Sequence, residues 1–324
     1  MTFRILITEP IMDSVIQKLH KNYKVDIGRR GEFNTEEHLA AVIPGYDALL
    51  SMLSTPVTST VIEAGKRLKI IANHAVGYNN IDLDAAREAG IKVANTPDVL
   101  TESSADCAMA LLLSAARKIC DAQQYLREGK FDGWEPLGFL GMELNAKTLG
   151  ILGMGRIGTA VARRAKAFGM NILYHNRNRI SKEIEEELSA EYAGDIKELA
   201  RRSDILSLHC PLTEDTYHAI DAEMLSVMPA HALLINTARG PVVDESALAD
   251  ALHNRIIAGA GLDVFEEEPK IHPKLLSAPN CVLTPHIASA TDQTREAIGM
   301  LAADAIIGVL EGKPESKIPQ LIQL

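Results

Sequence analysis

Three polar residues of this 324-residue chain stand just beyond short apolar runs: Arg239 in LLINTARG (233–240), Glu268 in GLDVFEEEP (261–269) and His286 in LTPHIASA (283–290). A guanidinium can pair with an acid anion through charge-assisted hydrogen bonds. An imidazole, with an ordinary pKa of about 6.5, can give or take a proton near neutral pH. A carboxylate on its other ring nitrogen would favour the charged ring and hold its orientation. Such a trio could bind a small acid and exchange a proton with a reacting oxygen. Each residue taken singly also has a structural reading. Arg239 could cap a helix or bind pyrophosphate, Glu268 could be a solvated member of a glutamate run, and His286 could be a buried, hydrogen-bonded histidine. Asp263, in the same GLDVF stretch, belongs with the candidates.

A fourth segment supplies the partner chemistry. Residues 149–158 read LGILGMGRIG, placing Gly153, Gly155 and Gly158 in a GxGxxG pattern after a strand-like run and before a helix-like one. Gly153 permits a tight turn, Gly155 lets a pyrophosphate approach the backbone, and Gly158 lets helix and strand pack closely. The helix start then offers amides, from Arg156 and Ile157 onward, to phosphate oxygens. The next apolar run ends in His175-Asn176-Arg177-Asn178-Arg179. A carboxylate is expected there for a free adenosine ribose, and none is present. Asn176 is neutral, and Arg177 and Arg179 could each clamp a 2′-phosphate, so NADP(H) leads and NAD(H) is secondary. The alternative is two solvated loop charges.

These residues need elements to hold them. Short apolar runs at Ile5–Thr8, 48–51, 70–73 and Lys92–Asn95 alternate with helical stretches, of which Leu83–Ala89 ends on a capping Gly90. That rhythm implies a mostly parallel sheet. Thr101–Lys118 reads as one long helix joining two domains, with Thr101 as N-cap. Residues 120–147, rich in glycine, read as mobile or extended. The single tryptophan there, Trp134, is either an interface anchor or a local plug. A second series follows, with strands at Leu149–Leu152, Asn171–Tyr174, 205–208, 233–236, Ala260–Val264 and Val282–Thr284. The spacing predicts a helix over Thr291–Leu310, which could return to the first domain. The carboxyl ends of parallel strands gather on one edge, which would bring Arg239, Asp263, Glu268 and His286 together.

Composition bounds the rest. The chain is 47% apolar and 23% charged, enough for two domains with large cores. A net charge of −10 disfavours nonspecific contact with nucleic acid or anionic membrane. Cys107, Cys120, Cys210 and Cys281 form no CxxC pair, which argues against a disulfide frame or a cysteine zinc site and for small buried hydrophobes. No metal site is expected. No apolar run would cross a bilayer, and the chain enters a strand without a signal-peptide pattern, so a cytoplasmic protein is expected.

NHAVGYNNID (73–82), NTPDVLTESSADCAMALLL (95–113), LGILGMGRIG, SLHCPLTEDT (207–216), LINTARGPVVDE (234–245), GLDVFEEEP and TPHIASAT (284–291) together resemble the D-isomer specific 2-hydroxyacid dehydrogenase family along essentially the whole chain. Within it, HNRNR most resembles the glyoxylate and hydroxypyruvate reductases, and a C-terminal regulatory domain like that of the longer phosphoglycerate dehydrogenases is not expected. The resemblance implies an α/β fold of two Rossmann-like domains. One is a smaller, flavodoxin-like substrate domain formed by 1–98 and 287–324. The other is a doubly wound dinucleotide-binding domain over 99–286, with a dimerisation arm about 118–148 and a homodimer.

The resemblance also implies a catalytic trio of Arg239, Glu268 and His286. It places the substrate among Leu53, Ala75, Val76, Gly77, Arg239 and His286. Cofactor contacts carry over to Val76, Thr101, Gly153, Gly155, Arg156, Ile157 and Gly158, and to Asn176, Arg177, Asn178 and Arg179. They continue at Cys210, Pro211, Thr216, Thr237, Ala238, Arg239, Asp263, His286 and Ala288. Asp263 is expected to fix the nicotinamide carboxamide. The implied activity is NADPH-favoured reduction of glyoxylate to glycolate, with hydroxypyruvate to D-glycerate beside it. The alternatives are a larger D-2-hydroxy acid or, in another class, a nucleotide-sensing protein like the corepressors with a similar scaffold.

Overall fold

The computed structural model describes residues 2–324. From the N-terminus run β1 (Arg4–Ile7), α1 (Asp13–His20), β2 (Lys24–Ile27), α2 (Glu36–Val42), β3 (Ala48–Ser51), α3 (Ser59–Ala64), β4 (Ile70–Asn73), α4 (Leu83–Glu88) and β5 (Lys92–Ala94). Then come α5 (Thr101–Ala116), α6 (Ile119–Arg127), β6 (Thr148–Leu152), α7 (Arg156–Ala167), β7 (Asn171–His175), α8 (Lys182–Leu188), β8 (Glu191–Tyr192), α9 (Ile196–Arg202) and β9 (Ile205–Leu208). The remainder is α10 (Ala222–Val227), β10 (Leu233–Asn236), α11 (Glu245–His253), β11 (Gly259–Leu262), β12 (Cys281–Leu283) and α12 (Asp292–Leu310).

The chain divides into two compact units, one formed by the residues up to Leu100 with Ala290–Leu324, the other by Thr101–Ser289. The first holds a five-stranded parallel sheet in the order β2-β1-β3-β4-β5, the flavodoxin-like order. β3 and β4 are buried along their whole length, as apolar runs covered on both faces should be. α12 covers one face: Ala302, Ala303, Ala305 and Ile306 join Ile5, Ile7, Leu50 and Ile70 in one core. The absence of a side chain at Gly299 lets α12 lie close to α1, since a Cβ there would meet Val15 Cγ2 at 2.6 Å.

The second unit holds a seven-stranded parallel sheet, order β12-β11-β10-β9-β6-β7-β8, with the strand order reversing at β6 and β9. The expected connector helix is a core element here. α5 buries Ala108, Leu111 and Leu112 against Ile151, Ile235 and Val282. Asp195, Asp221 and Asp244 cap α9, α10 and α11 by accepting the amides of Glu198, Met224 and Ala247 at 2.7, 2.9 and 2.9 Å.

Three expectations change. The segment read as extended from 120 opens with α6, because Lys118 turns left-handed (φ 52°) and CDAQQYLR is rich in helix formers. The glycines that prompted the extended reading begin only at Gly129. β2 and α2 escaped the pattern because β2 is a mostly exposed edge strand without an apolar run. Cys120 is exposed rather than buried. Among the described residues, no helix is long and apolar enough to cross a membrane.

Candidate active site

At the reversal point of the second sheet, the glycine-rich turn is built as its spacing requires. Gly153 sits at φ +94°, and a Cβ there would stand 2.5 Å from Cys210 N. A Cβ on Gly158 would meet Gly153 O at 2.6 Å, so helix–strand contact demands glycine. Gly155 differs, because nothing lies within 4 Å of its absent Cβ. Space beside an exposed helix start, with no side chain capping α7, is what a pyrophosphate needs. Thr237 adds a buried hydroxyl without a partner among the described residues, at the carboxyl end of β10. These features fit a bound dinucleotide.

The end of β7 separates two arginines that sequence treats alike. Arg179 pairs with Glu185 at 3.0 Å and lies over the Tyr192 ring at 5.2 Å from its centroid. Glu185 also accepts the buried Tyr174 hydroxyl, which ties Arg179 into the packing of β7, α8 and β8. Arg177 is exposed and has no ion-pair partner among the described residues. Asn176 turns its side chain inward, where Oδ1 accepts Met154 N–H at 2.6 Å and so braces the glycine-rich turn. Asn178 is exposed beside Arg177. On the β9 loop, Cys210 is buried, which pushes its thiol up to about 11. Thr216 Oγ1 donates to Pro211 O at 2.7 Å and pins that loop.

Arg239, Glu268 and His286 lie on neighbouring loops. Asn236, buried at the end of β10, shapes the TARG turn: its Oδ1 accepts Ala238 N–H at 3.0 Å and its Nδ2 donates to Arg239 O at 2.9 Å. Arg239 is half-buried and donates through Nη1 to Ala238 O at 2.6 Å. Burial lowers its pKa, with the charge of Glu268 working against that. Gly240 brings the loops after β10 and β11 into contact, since a Cβ there would lie 1.9 Å from the Phe265 carbonyl. Within FEEEP, only Glu268 reaches the trio; Glu266 pairs with His218 at 2.7 Å. Glu268 Oε1 accepts Phe265 N–H at 3.0 Å, and Oε2 accepts His286 Nδ1–H at 2.8 Å. That bond leaves Nε2 as the ring's reactive nitrogen.

Burial raises the Glu268 pKa, but the hydrogen bond and charge of His286, the Phe265 amide and Arg239 outweigh it, and the net direction is down. A depressed folded pKa stabilises the fold above the ordinary carboxylate range, and this contribution is lost as pH falls through the folded value. Glu268→Gln therefore flattens the acid-side fall in thermal midpoint when Tm is followed between about pH 3 and pH 7. An unchanged slope would show that Glu268 titrates no differently in the unfolded chain.

The first unit carries the remaining candidates at the carboxyl edge of its own sheet. Leu53 follows β3 and is half-buried. Ala75, Val76 and Gly77 follow β4, and all three of their carbonyls are tied down. Ala75 O accepts Thr96 N at 3.0 Å, Val76 O accepts Asn95 Nδ2 at 2.8 Å, and Gly77 O accepts Asn73 Nδ2 at 2.7 Å. Asn73 is in turn held by Ser51 and Asn80 at 2.9 and 3.1 Å. Pinning the carbonyls fixes the peptide planes of the loop, and with them the direction of its amides. His74 beside it is buried, and burial, with the charge of Arg295, lowers its pKa to about 4.

Sequence reasoning did not single out Asn73, Asn80, Asn95, Asn236 or Thr284 as site residues. For all but Asn80 the available signal is an asparagine or threonine at the last residue of an apolar run, or just past it, where it meets loop backbone.

A sequence profile for the family described as D-isomer specific 2-hydroxyacid dehydrogenase, NAD binding domain, matches residues 109–288. The chain is similar to the glyoxylate reductase of Thermococcus onnurineus, 46% identical over 314 residues that cover 96% of this chain and 93% of that protein. It is also similar to the crystal structure of a glyoxylate reductase from Paecilomyes thermophila, with TM-score 0.85, 34% identity and coverage of 99% and 98%. A third likeness is the NADPH-dependent glyoxylate/hydroxypyruvate reductase of Sinorhizobium meliloti in complex with NADP and malonate. There the TM-score is 0.86, with 35% identity and full coverage of both chains.

Proposed function

The chain belongs to the D-isomer specific 2-hydroxyacid dehydrogenase family, and from that premise we propose that it reduces glyoxylate to glycolate with NADPH, and hydroxypyruvate to D-glycerate as a second substrate. The observation that carries this reading is the His286–Glu268 pair at 2.8 Å, with the Arg239 guanidinium exerting its charge on the same carboxylate. A reduced nicotinamide, when bound, supplies the hydride. Arg239 holds the oxoacid and stabilises the negative charge that develops on the carbonyl oxygen. His286 Nε2 delivers the proton to that oxygen, and Glu268 offsets the ring's positive charge before transfer. For the first unit taken by itself, the family resemblance assigns the Val76–Gly77 loop to anion binding and Leu53 to an apolar lining. The Gly155 turn, Thr101, Cys210, Pro211, Thr216, Thr237, Ala238 and Ala288 are assigned to the dinucleotide.

The direct test follows absorbance of the reduced nicotinamide with glyoxylate, hydroxypyruvate, pyruvate and a branched 2-oxoacid, using NADPH and then NADH. A higher kcat/KM for the branched acid would overturn the substrate assignment. Asn95→Ala frees the Val76 carbonyl and is expected to raise KM for glyoxylate roughly 10-fold with little change in kcat, the pattern of a lost ground-state contact.

NADPH preference rests on Arg177. Its side chain is exposed, whereas Arg179 is engaged with Glu185. Arg177→Ala is expected to raise KM for NADPH about 10-fold or more and leave NADH within about 2-fold, because only NADPH carries the 2′-phosphate. Equal losses with both cofactors would reduce Arg177 to a general contact.

The homodimer is also part of this proposal. Trp134 is 84% exposed and so plugs nothing locally; Leu126, Phe131, Leu137 and Leu140 on the same arm are 61–79% exposed. An apolar arm of this kind suits a second copy of the chain. Sedimentation should show a dimer, and Trp134→Arg with Leu137→Asp should shift it toward monomer.

A further inference from the structure

We propose that Asp263 is a positioning residue, whose buried carboxylate clamps the 284–288 loop and thereby holds His286 in the left-handed backbone conformation that aims its ring at Glu268. This inference rests on His286 being the proton donor of the proposed reaction. It begins in the sheet. β11 and β12 run parallel with Leu262 beside Leu283, so the residues just past them, Asp263 and Thr284, leave the sheet side by side. The backbone continues the ladder briefly, with Thr284 N donating to Leu262 O at 2.9 Å. Then it turns sharply, as His286 N–H donates to Asp263 O at 2.9 Å and to Thr284 O at 3.0 Å.

At that turn His286 has φ +54°, a region in which a side chain beyond glycine is strained. Strain of this kind persists where the surroundings over-determine it, and Asp263 is that surrounding. Its Oδ1 accepts the Thr284 hydroxyl at 2.6 Å and Ile287 N–H at 2.8 Å; its Oδ2 accepts Ala288 N–H at 2.7 Å. The residue is 0% exposed, and these donors flank His286 on both sides. A carboxylate is required because the group accepts from three donors and donates to none. An amide would set an N–H against the Ala288 or the Ile287 N–H.

The test is Asp263→Asn, read in three ways. Clamping predicts that kcat falls on the order of 10²-fold while the NADPH dissociation constant, followed by its fluorescence, stays within about 2-fold. It also predicts non-additivity: in a His286→Gln background, adding Asp263→Asn changes residual turnover by less than about 2-fold. A dissociation constant that rises with kcat unchanged at saturation, or losses that multiply in the double variant, would overturn the clamp while leaving His286 as donor. Wild-type turnover in His286→Gln alone would instead remove the donor reading and the clamp's purpose with it. Should Asp263→Asn fail to fold, Thr284→Val decides. It keeps the side-chain shape and removes one donor, so a several-fold loss of kcat supports the clamp and an unchanged kcat overturns it.

Discussion

Replacing His286 with glutamine is expected to lower kcat for glyoxylate reduction about 10³-fold, or roughly 4 kcal/mol of transition-state stabilisation. Glutamine keeps a polar group of similar reach but cannot carry the proton that Nε2 is assigned to deliver. The bond between His286 Nδ1 and Glu268 Oε2 at 2.8 Å makes the pair a unit, so Glu268→Gln should lower turnover as well and move the limbs of its pH profile. The rate in the direction of oxoacid reduction, followed across about pH 5 to 9, separates the two roles. Unchanged limbs in Glu268→Gln would leave Glu268 as packing alone. His20→Gln is the control, an exposed histidine on α1 whose loss should stay within about 2-fold.

Arg239→Ala should be nearly as damaging, with kcat/KM for the oxoacid reduced on the order of 10³-fold or more. The guanidinium sits half-buried, braced by Ala238 O at 2.6 Å, where an opposing charge is worth more than in water. Arg239→Lys keeps the charge without the planar fork, and recovery of only part of the activity is expected. Steady-state kinetics with varied glyoxylate at saturating NADPH checks this. If Arg239 served only the pyrophosphate, as the competing sequence reading allowed, the loss would fall on the cofactor's KM and leave that of the oxoacid alone.

Much of the site could be read before any fold was known, because its members obey local rules. A glycine-rich turn between an apolar run and a helix has one conformational purpose at each glycine, and the structure bears out the steric demand at Gly153 and Gly158. The parallel sheets were legible because strands buried on both faces leave unbroken apolar runs. β2 was not, since an edge strand need bury little. α6 was not either: with no buried residue, it leaves no apolar stripe aimed at a core.

What the sequence by itself determined is thus the alternation of strands and helices, the dinucleotide turn, and which residues stand at the carboxyl ends of the strands. What only the tertiary structure decided is how identical groups are employed. Arg177 and Arg179 are two residues apart, yet Glu185 and the Tyr192 ring occupy one and leave the other exposed. Of three consecutive glutamates, one meets His286 and another meets His218. Asp263, a cofactor contact by family resemblance, is placed by the fold where it accepts bonds from Thr284, Ile287 and Ala288. The physical reason is the same each time. Backbone preference is set by adjacent residues, while the partner of a charged or polar side chain is set by whichever strand the sheet places alongside.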